Sequence, residues 1–205
     1  MHASPLFRLT DDADLAALVA ARGFAVIAVA GPGAPLIAQA PVLLDGRRLR
    51  FHLARNNPAT AALLDGAAAV AVVPGADAYI SPDWYGIDDQ VPTWNYRSVE
   101  VEGPVARLDA AALVGLLDDL SACFEARLAP KPPWTRAKMS PGRFEAMLAA
   151  IVGFEMTAVR LEGVSKLSQN KPAPAIGQAA AALAERSEPG SAEIAALMAA
   201  LTRQP

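Results

Sequence analysis

The sequence predicts a mainly β protein, an antiparallel β-barrel with helices at its periphery. About six strand-like segments follow one another in hairpin-like succession, and helical patterns stand only at the start, the middle and the end. Strands that do not alternate regularly with helices argue against a doubly wound parallel sheet. Hydrophobic residues make up 53% of the 205 and charged residues 19%, which is enough apolar material for a core and unlike a disordered composition.

The elements follow in order. Thr10 precedes "DDADLAALVAARG", an N-cap, an acidic first turn, helical apolar spacing and a terminating Gly23. "FAVIAVA" (24–30) reads as a buried strand, "IAQAPVLLD" (37–45) as a second, and "DGRR" as a tight turn into a third, "LRFHLAR" (49–55). "NNPATAALLDG" (56–66) opens a short helix through Asn-Pro, and "AAAVAVVPG" (67–75) is a fourth strand that "AYI" (78–80) extends after a bulge. A loop, "SPDWYGIDDQVPTW" (81–94), leads to an alternating strand over 95–108 and a long helix over about 109–128. "APKPPW" is too rich in proline to be helical, a short helix opens near Ser140, and "FEMTAVRLEG" (154–163) is the last strand. Two alanine-rich helices, broken at "SEPGS", close the chain.

Composition narrows the function classes. A net charge of −3, with no helix-turn-helix pattern and no basic arm, argues against direct DNA reading. The one cysteine, Cys123, sits in an amphipathic helical pattern and reads as core packing, and no Cys/His grouping has metal-ligand spacing, so no metal site is expected. The N-terminus lacks the pattern of a signal peptide and no uncharged apolar run reaches about 20 residues, so a soluble cytoplasmic protein without a membrane association is expected.

Several polar segments are candidates for chemistry. "GPGAPL" (31–36) opens like a dinucleotide loop, but Pro32 and Pro35 remove donors and no helix follows, so it is a turn. There is no catalytic triad: of the two histidines His2 is terminal, which leaves His52 as either a site residue or a satisfied structural one. "FHLARNNP" offers Arg55, two amides and Thr60 where a strand meets a helix, a set suited to a phosphate monoester or equally to an ordinary helix cap. The aromatics of "SPDWYGIDDQVPTW" and "VPTWNY" can close a core edge, line a planar pocket or face a partner subunit. "KLSQNK" (166–171) presents Lys166, Ser168, Gln169 and Asn170 past a strand end, as pocket groups or as a solvated loop.

"AYISPDWY", "VPTWNY", "IVGFEM" and "KLSQNK", in that order and with "FHLARNNP" upstream, resemble the PaiB family of FMN-binding negative transcriptional regulators. The resemblance runs from the N-terminus to about Lys171. It implies an FMN-binding split-barrel domain over residues 1–171 with an alanine-rich helical extension over 172–205, FMN as cofactor, and a homodimer carrying the flavin at its interface. By motif it assigns His52, Ala54, Arg55 and Asn57 to the phosphate side, and Gln39, Ala40 and Pro41 to the edge of the isoalloxazine. Trp94, Asn95 and Tyr96 fall near the ring or the dimer seam, and Lys166, Ser168 and Gln169 complete the set, from the opposite subunit in one arrangement. The chain departs from the family pattern at Gln39, where a histidine is common, and at Val164 and Ser165, where a Lys and a Trp often stand. The resemblance implies a flavin-binding regulatory protein that acts on transcription indirectly. A flavin-dependent oxidoreductase on a small molecule, and a dimeric binding module without FMN, are the competing functions.

Overall fold

The computed structural model describes residues 4–203, so His2 lies outside the described residues. Among the described residues nine strands form one sheet in the order β1-β9-β6-β5-β2-β3-β4-β8-β7, three more strands than the sequence expectation. They are β1 (Arg8–Leu9), β2 (Phe24–Val29), β3 (Leu36–Asp45), β4 (Arg48–Ala54), β5 (Ala69–Ile80), β6 (Thr93–Glu102), β7 (Val105–Arg107), β8 (Ile151–Thr157) and β9 (Arg160–Lys166). The helices are α1 (Asp12–Arg22), α2 (Pro58–Leu64), α3 (Ala110–Ala126), α4 (Arg143–Leu148), α5 (Ala173–Ala184) and α6 (Ser191–Leu201).

Most of these elements fall where the sequence places them, and the differences have local causes. Helix α1 is capped by Asp11, whose Oδ1 accepts from the Asp14 N–H at 3.0 Å, rather than by Thr10. Strand β5 is one strand through Pro74 and Gly75, and its burial alternation slips by one residue at Gly75–Ala76, both buried, before the "AYI" segment. The single strand expected over 154–163 is two strands, β8 and β9, because the strand is interrupted at Ala158–Val159 without any Gly, Pro or Asn to announce it; the chain runs on past the break, where the Val159 N–H donates to the Glu102 carbonyl at 2.9 Å. The break is fixed from outside: the Ala158 N–H donates to the Arg47 carbonyl at 2.8 Å, and Arg47 Nε donates to the Ala158 carbonyl at 2.9 Å.

The chain divides into two compact units. One comprises residues 19–73 and 100–161. Its core gathers the inward rows of β2, β3, β4 and β8, with Phe51 and Phe154 stacked at 5.6 Å between ring centroids. Antiparallel registers Phe24↔Pro41, Val42↔Phe51 and Phe51↔Phe154 set these rows in line. Helix α3 buries Leu113, Leu116 and Leu120. It contacts β8 closely because Gly153 has no side chain: a Cβ there would lie 2.9 Å from Leu113 Cδ1 and 3.1 Å from Leu108 Cδ1.

The other unit comprises residues 1–18, 74–99 and 162–205. Its core joins Ala76, Ala78 and Ile80 of β5 and Tyr85 to α5 and α6, which contribute Ile176, Leu183, Ile194 and Met198 together with buried alanines. Leu167 completes the cluster, so the C-terminal helices share one core with the "AYISPDWY" and "KLSQNK" segments. Gly190, at the start of α6, has φ +86°, and a Cβ on it would sit 2.4 Å from the Asp77 carbonyl oxygen. Only glycine permits that approach of α6 to β5.

Candidate flavin-binding site

On the unit built from residues 19–73 and 100–161, alternation along the strands decides which side chains face outward. The outward row of β2 is Phe24, Val26 and Ala28, that of β3 is Ile37, Gln39 and Pro41, and the adjoining row of β5 holds Val70 and Val72. The register sets Phe24 opposite Pro41, Val26 opposite Gln39 and Val72, and Ala28 opposite Ile37 and Val70. Phe24 is 49% exposed and Ile37 58%. The result is a contiguous apolar plate on which Gln39 is the single amide, while Ala40 points inward and is buried.

On the same unit the "FHLARNNP" groups separate. His52 faces Gly153 across β4–β8 and lines a cavity of about 320 Å³ with Trp134, Met139, Phe144 and Met147. Its Nδ1 is buried without a hydrogen-bond partner, and burial pushes its pKa below the usual 6.5. Arg55 instead clamps the entry to β8, donating from Nε to the Ala149 carbonyl at 2.7 Å and from Nη2 to the Ile151 carbonyl at 3.1 Å. Asn57 caps α2 by accepting from the Ala59 N–H, and Thr60 donates to the carbonyl of Ala54 at 2.7 Å. The carbonyl of the Asn57 amide and the hydroxyl of Thr60 are thereby engaged within the chain, whereas the Nη1 of Arg55 and the Nδ2 of Asn57 have no partner among the described residues.

The other unit carries the remaining predicted residues. Lys166 directs its ammonium onto Thr93 Oγ1 and, at 2.8 Å, the Trp94 carbonyl. No carboxylate pairs with it among the described residues, and desolvation lowers its pKa. Asn95 and Ser168 are both buried: Asn95 Nδ2 lies 2.9 Å from Ser168 Oγ and 3.3 Å from Met198 Sδ. The Tyr85 hydroxyl closes this knot on Ser168. Gln169 folds back on its own segment, accepting from the Leu167 N–H at 2.7 Å and donating to the Ser165 carbonyl. Tyr96 is half-buried, and the ring of Trp94 is 54% exposed.

Sequence reasoning passed over Arg97. It is half-buried, its Nε is enclosed, and no hydrogen bond or ion pair reaches its guanidinium among the described residues. Arg97 and Thr93 have the same parity on β6, so the Thr93-held ammonium of Lys166 and the guanidinium of Arg97 belong to one face of that strand. A buried cation left without a counter-charge carries a desolvation cost that an anionic ligand would offset. The signal in sequence was an arginine at an inward position of the alternating "NYRSVEV" run.

A mainly antiparallel sheet with flanking helices defines a protein of the split-barrel class; one unit bears an apolar plate with one amide, and the other, by itself, bears two cations without a carboxylate partner among the described residues. The fold is shared with the FAD and heme binding protein from Mycobacterium smegmatis (TM-score 0.58, 22% identity, 78% of this chain and 73% of that one). It is shared also with the flavocytochrome Anf3 from Azotobacter vinelandii (TM-score 0.64, 15% identity, 81% and 72%). The chain belongs to the family described as "Putative FMN-binding domain", whose profile matches residues 1–160. Among curated proteins it is similar to the protease synthase and sporulation protein PAI 2 of Bacillus subtilis (strain 168), with 26% identity over 175 residues, 83% of each chain.

Proposed function

We propose that this chain is an FMN-binding split-barrel protein of the PaiB type, a homodimer whose flavin serves regulation and which acts on transcription indirectly. One observation carries the flavin reading: two cations on one strand face, Arg97 and Lys166, have no carboxylate partner among the described residues. FMN combines a phosphate dianion with a planar ring that is apolar at one end and rich in hydrogen-bonding groups at the other. The outward row of β3 suits that ring, with Gln39 offering its amide between Ile37 and Pro41 and with the backbone of Ala40 alongside. The Nη1 of Arg55 and Nδ2 of Asn57, beyond Ala54, suit the phosphate. His52 supplies an unpartnered acceptor or donor nearby in sequence. Lys166 of the opposite subunit suits the ring edge that gains negative charge on reduction, with Ser168, Gln169 and Asn95 fixing the backbone that carries it and Tyr96 adjoining. When bound, FMN supplies reversible two-electron redox chemistry.

The regulatory reading draws on the similarity to a protein named for protease synthesis and sporulation. A net charge of −3 supports an indirect route rather than contact with DNA. The homodimer draws on the apolar plate of β2, β3 and β5, a surface of the kind that marks protein interfaces.

The test is the visible spectrum of protein purified after growth with riboflavin, followed by anaerobic addition of NADH and of NADPH. A yellow spectrum stable to both nucleotides is expected. Bleaching makes the protein a flavin-dependent oxidoreductase, and a colourless protein that resists reconstitution makes it a binding module without flavin.

A further inference from the structure

A groove of about 590 Å³ opens on the unit that contains the C-terminal helices. Its walls are aromatic. Tyr79 and Trp94 meet edge to face, 6.2 Å between ring centroids and 73° between planes, and Trp84 lines the groove with them. Tyr79 is 44% and Trp94 54% exposed, so both rings offer faces to a ligand.

Three charged side chains line the same groove. Arg186 and Glu188 neutralise each other through an ion pair at 2.7 Å. Asp77 is exposed and has no ion pair or hydrogen bond among the described residues, so the groove carries one unbalanced negative charge. Asp77 stands two residues from Tyr79 on the outward row of β5, which places its carboxylate on the same face as that ring. Arg186 and Glu188 lie beyond residue 160, where the family profile ends, so part of this groove is built by residues that the family resemblance does not cover.

Electron-rich ring faces together with a lone carboxylate form the chemistry that recognises an organic ammonium. The rings attract the cation through their quadrupoles, and the carboxylate balances its charge without the full desolvation that a deep ion pair demands. We propose that this groove is a binding site for a small organic cation, a quaternary or protonated amine, held between Tyr79, Trp84 and Trp94 and paired with Asp77. Trp94 is the one residue that this groove shares with the flavin assignment, and Asp77, Tyr79 and Trp84 lie outside it.

The probes are choline and its neutral isostere 3,3-dimethylbutan-1-ol, titrated at constant ionic strength while tryptophan fluorescence is followed. Choline is expected to saturate the signal with a Kd about fivefold or more below that of the alcohol. Asp77→Asn should raise the choline Kd about three- to tenfold and leave the alcohol unchanged. Trp94→Leu should weaken choline to a similar degree, with the melting temperature reporting that the fold is retained. Equal binding of the two probes by the wild-type chain, or saturation by neither, overturns the proposal, as does an unchanged choline Kd in Asp77→Asn. None of these readings involves flavin, so the result stands whether or not FMN binds.

Discussion

The hydroxyls of Tyr85 and Ser168 lie 2.7 Å apart in a buried knot that Asn95 completes. Ser168 adopts φ +67°, a left-handed backbone that a serine enters at a cost and holds here through its hydrogen bonds. Tyr85 belongs to a 3-10 turn after β5, Asn95 to β6 and Ser168 to the segment after β9, so one polar cluster ties three stretches of a single unit.

Removing the shared hydroxyl leaves a buried phenol and a buried amide short of a partner. Ser168→Ala should cost about 2–3 kcal/mol, and Tyr85→Phe about 1 kcal/mol. Thermal denaturation would show this as a fall of about 5–10 °C for the first variant. A melting temperature within a degree of wild type would remove the knot from the account of stability.

Arg97→Met separates a ligand role from a structural one. The enclosed Nε has no partner, so loss of the guanidinium should leave the flavin-free protein as stable as before or more so. FMN affinity, measured by quenching of flavin fluorescence, should fall about tenfold or more. A drop in stability with unchanged affinity would assign Arg97 to the scaffold.

Ile37→Glu places a charge in the apolar plate at a side chain that is already 58% exposed, so folding should be unaffected. Light scattering at micromolar concentration should show a dimer for the wild-type chain and a monomer for the variant. A wild-type monomer would defeat the homodimer, and a dimeric variant would move the interface elsewhere.

His52 gives the fold a pH dependence of known sign. Burial lowers its folded pKa below 6.5, so the unfolded chain takes up a proton that the folded chain refuses. Stability is therefore full above pH 6.5 and declines as pH falls through that value toward the folded pKa. The melting temperature of His52→Leu should vary less between pH 7.5 and about pH 5.5 than that of wild type, and parallel curves would exclude His52 as the source.

Lys166→Met distinguishes the two ends of the flavin. Beside the ring edge, loss of the ammonium should lower the two-electron potential by tens of millivolts, because about 30 mV corresponds to 1.4 kcal/mol and the contact is partly screened. Beside the phosphate, affinity should fall equally for both redox states while the potential holds. Potential and affinity that both match wild type would remove Lys166 from the site.

The strands of the first unit were legible because punctuation and alternation agree there: Gly46 turns β3 into β4, Asn57 and Pro58 open α2, and both fall where expected. The division of β8 from β9 was not, because the break at Ala158–Val159 is held by Arg47, 111 residues away in the chain, and no local residue marks it. Among site residues, the motifs singled out Asn95 and Ser168, but type alone could not say that the two bond to each other. Arg97 went unnoticed for the converse reason. Arginine is a surface residue by type, and its inward parity with Asn95, Val99 and Val101 was the signal that residue type masked.

The seat of the last two helices has a consequence for the end of the chain. Ala175, Ala179, Ala180 and Ala195 bring α5 and α6 into close apposition while each adds little more than a methyl group of apolar area. Adhesion there is spread thinly, and the sulfur of Met198 is the one point at which α6 touches the polar knot, through Asn95. Shortening the chain from its C-terminus would thus peel this hairpin in stages, first releasing the amide of Asn95 and only later wetting Ile80 and Tyr85. The terminus behaves as a graded fastening rather than as a latch.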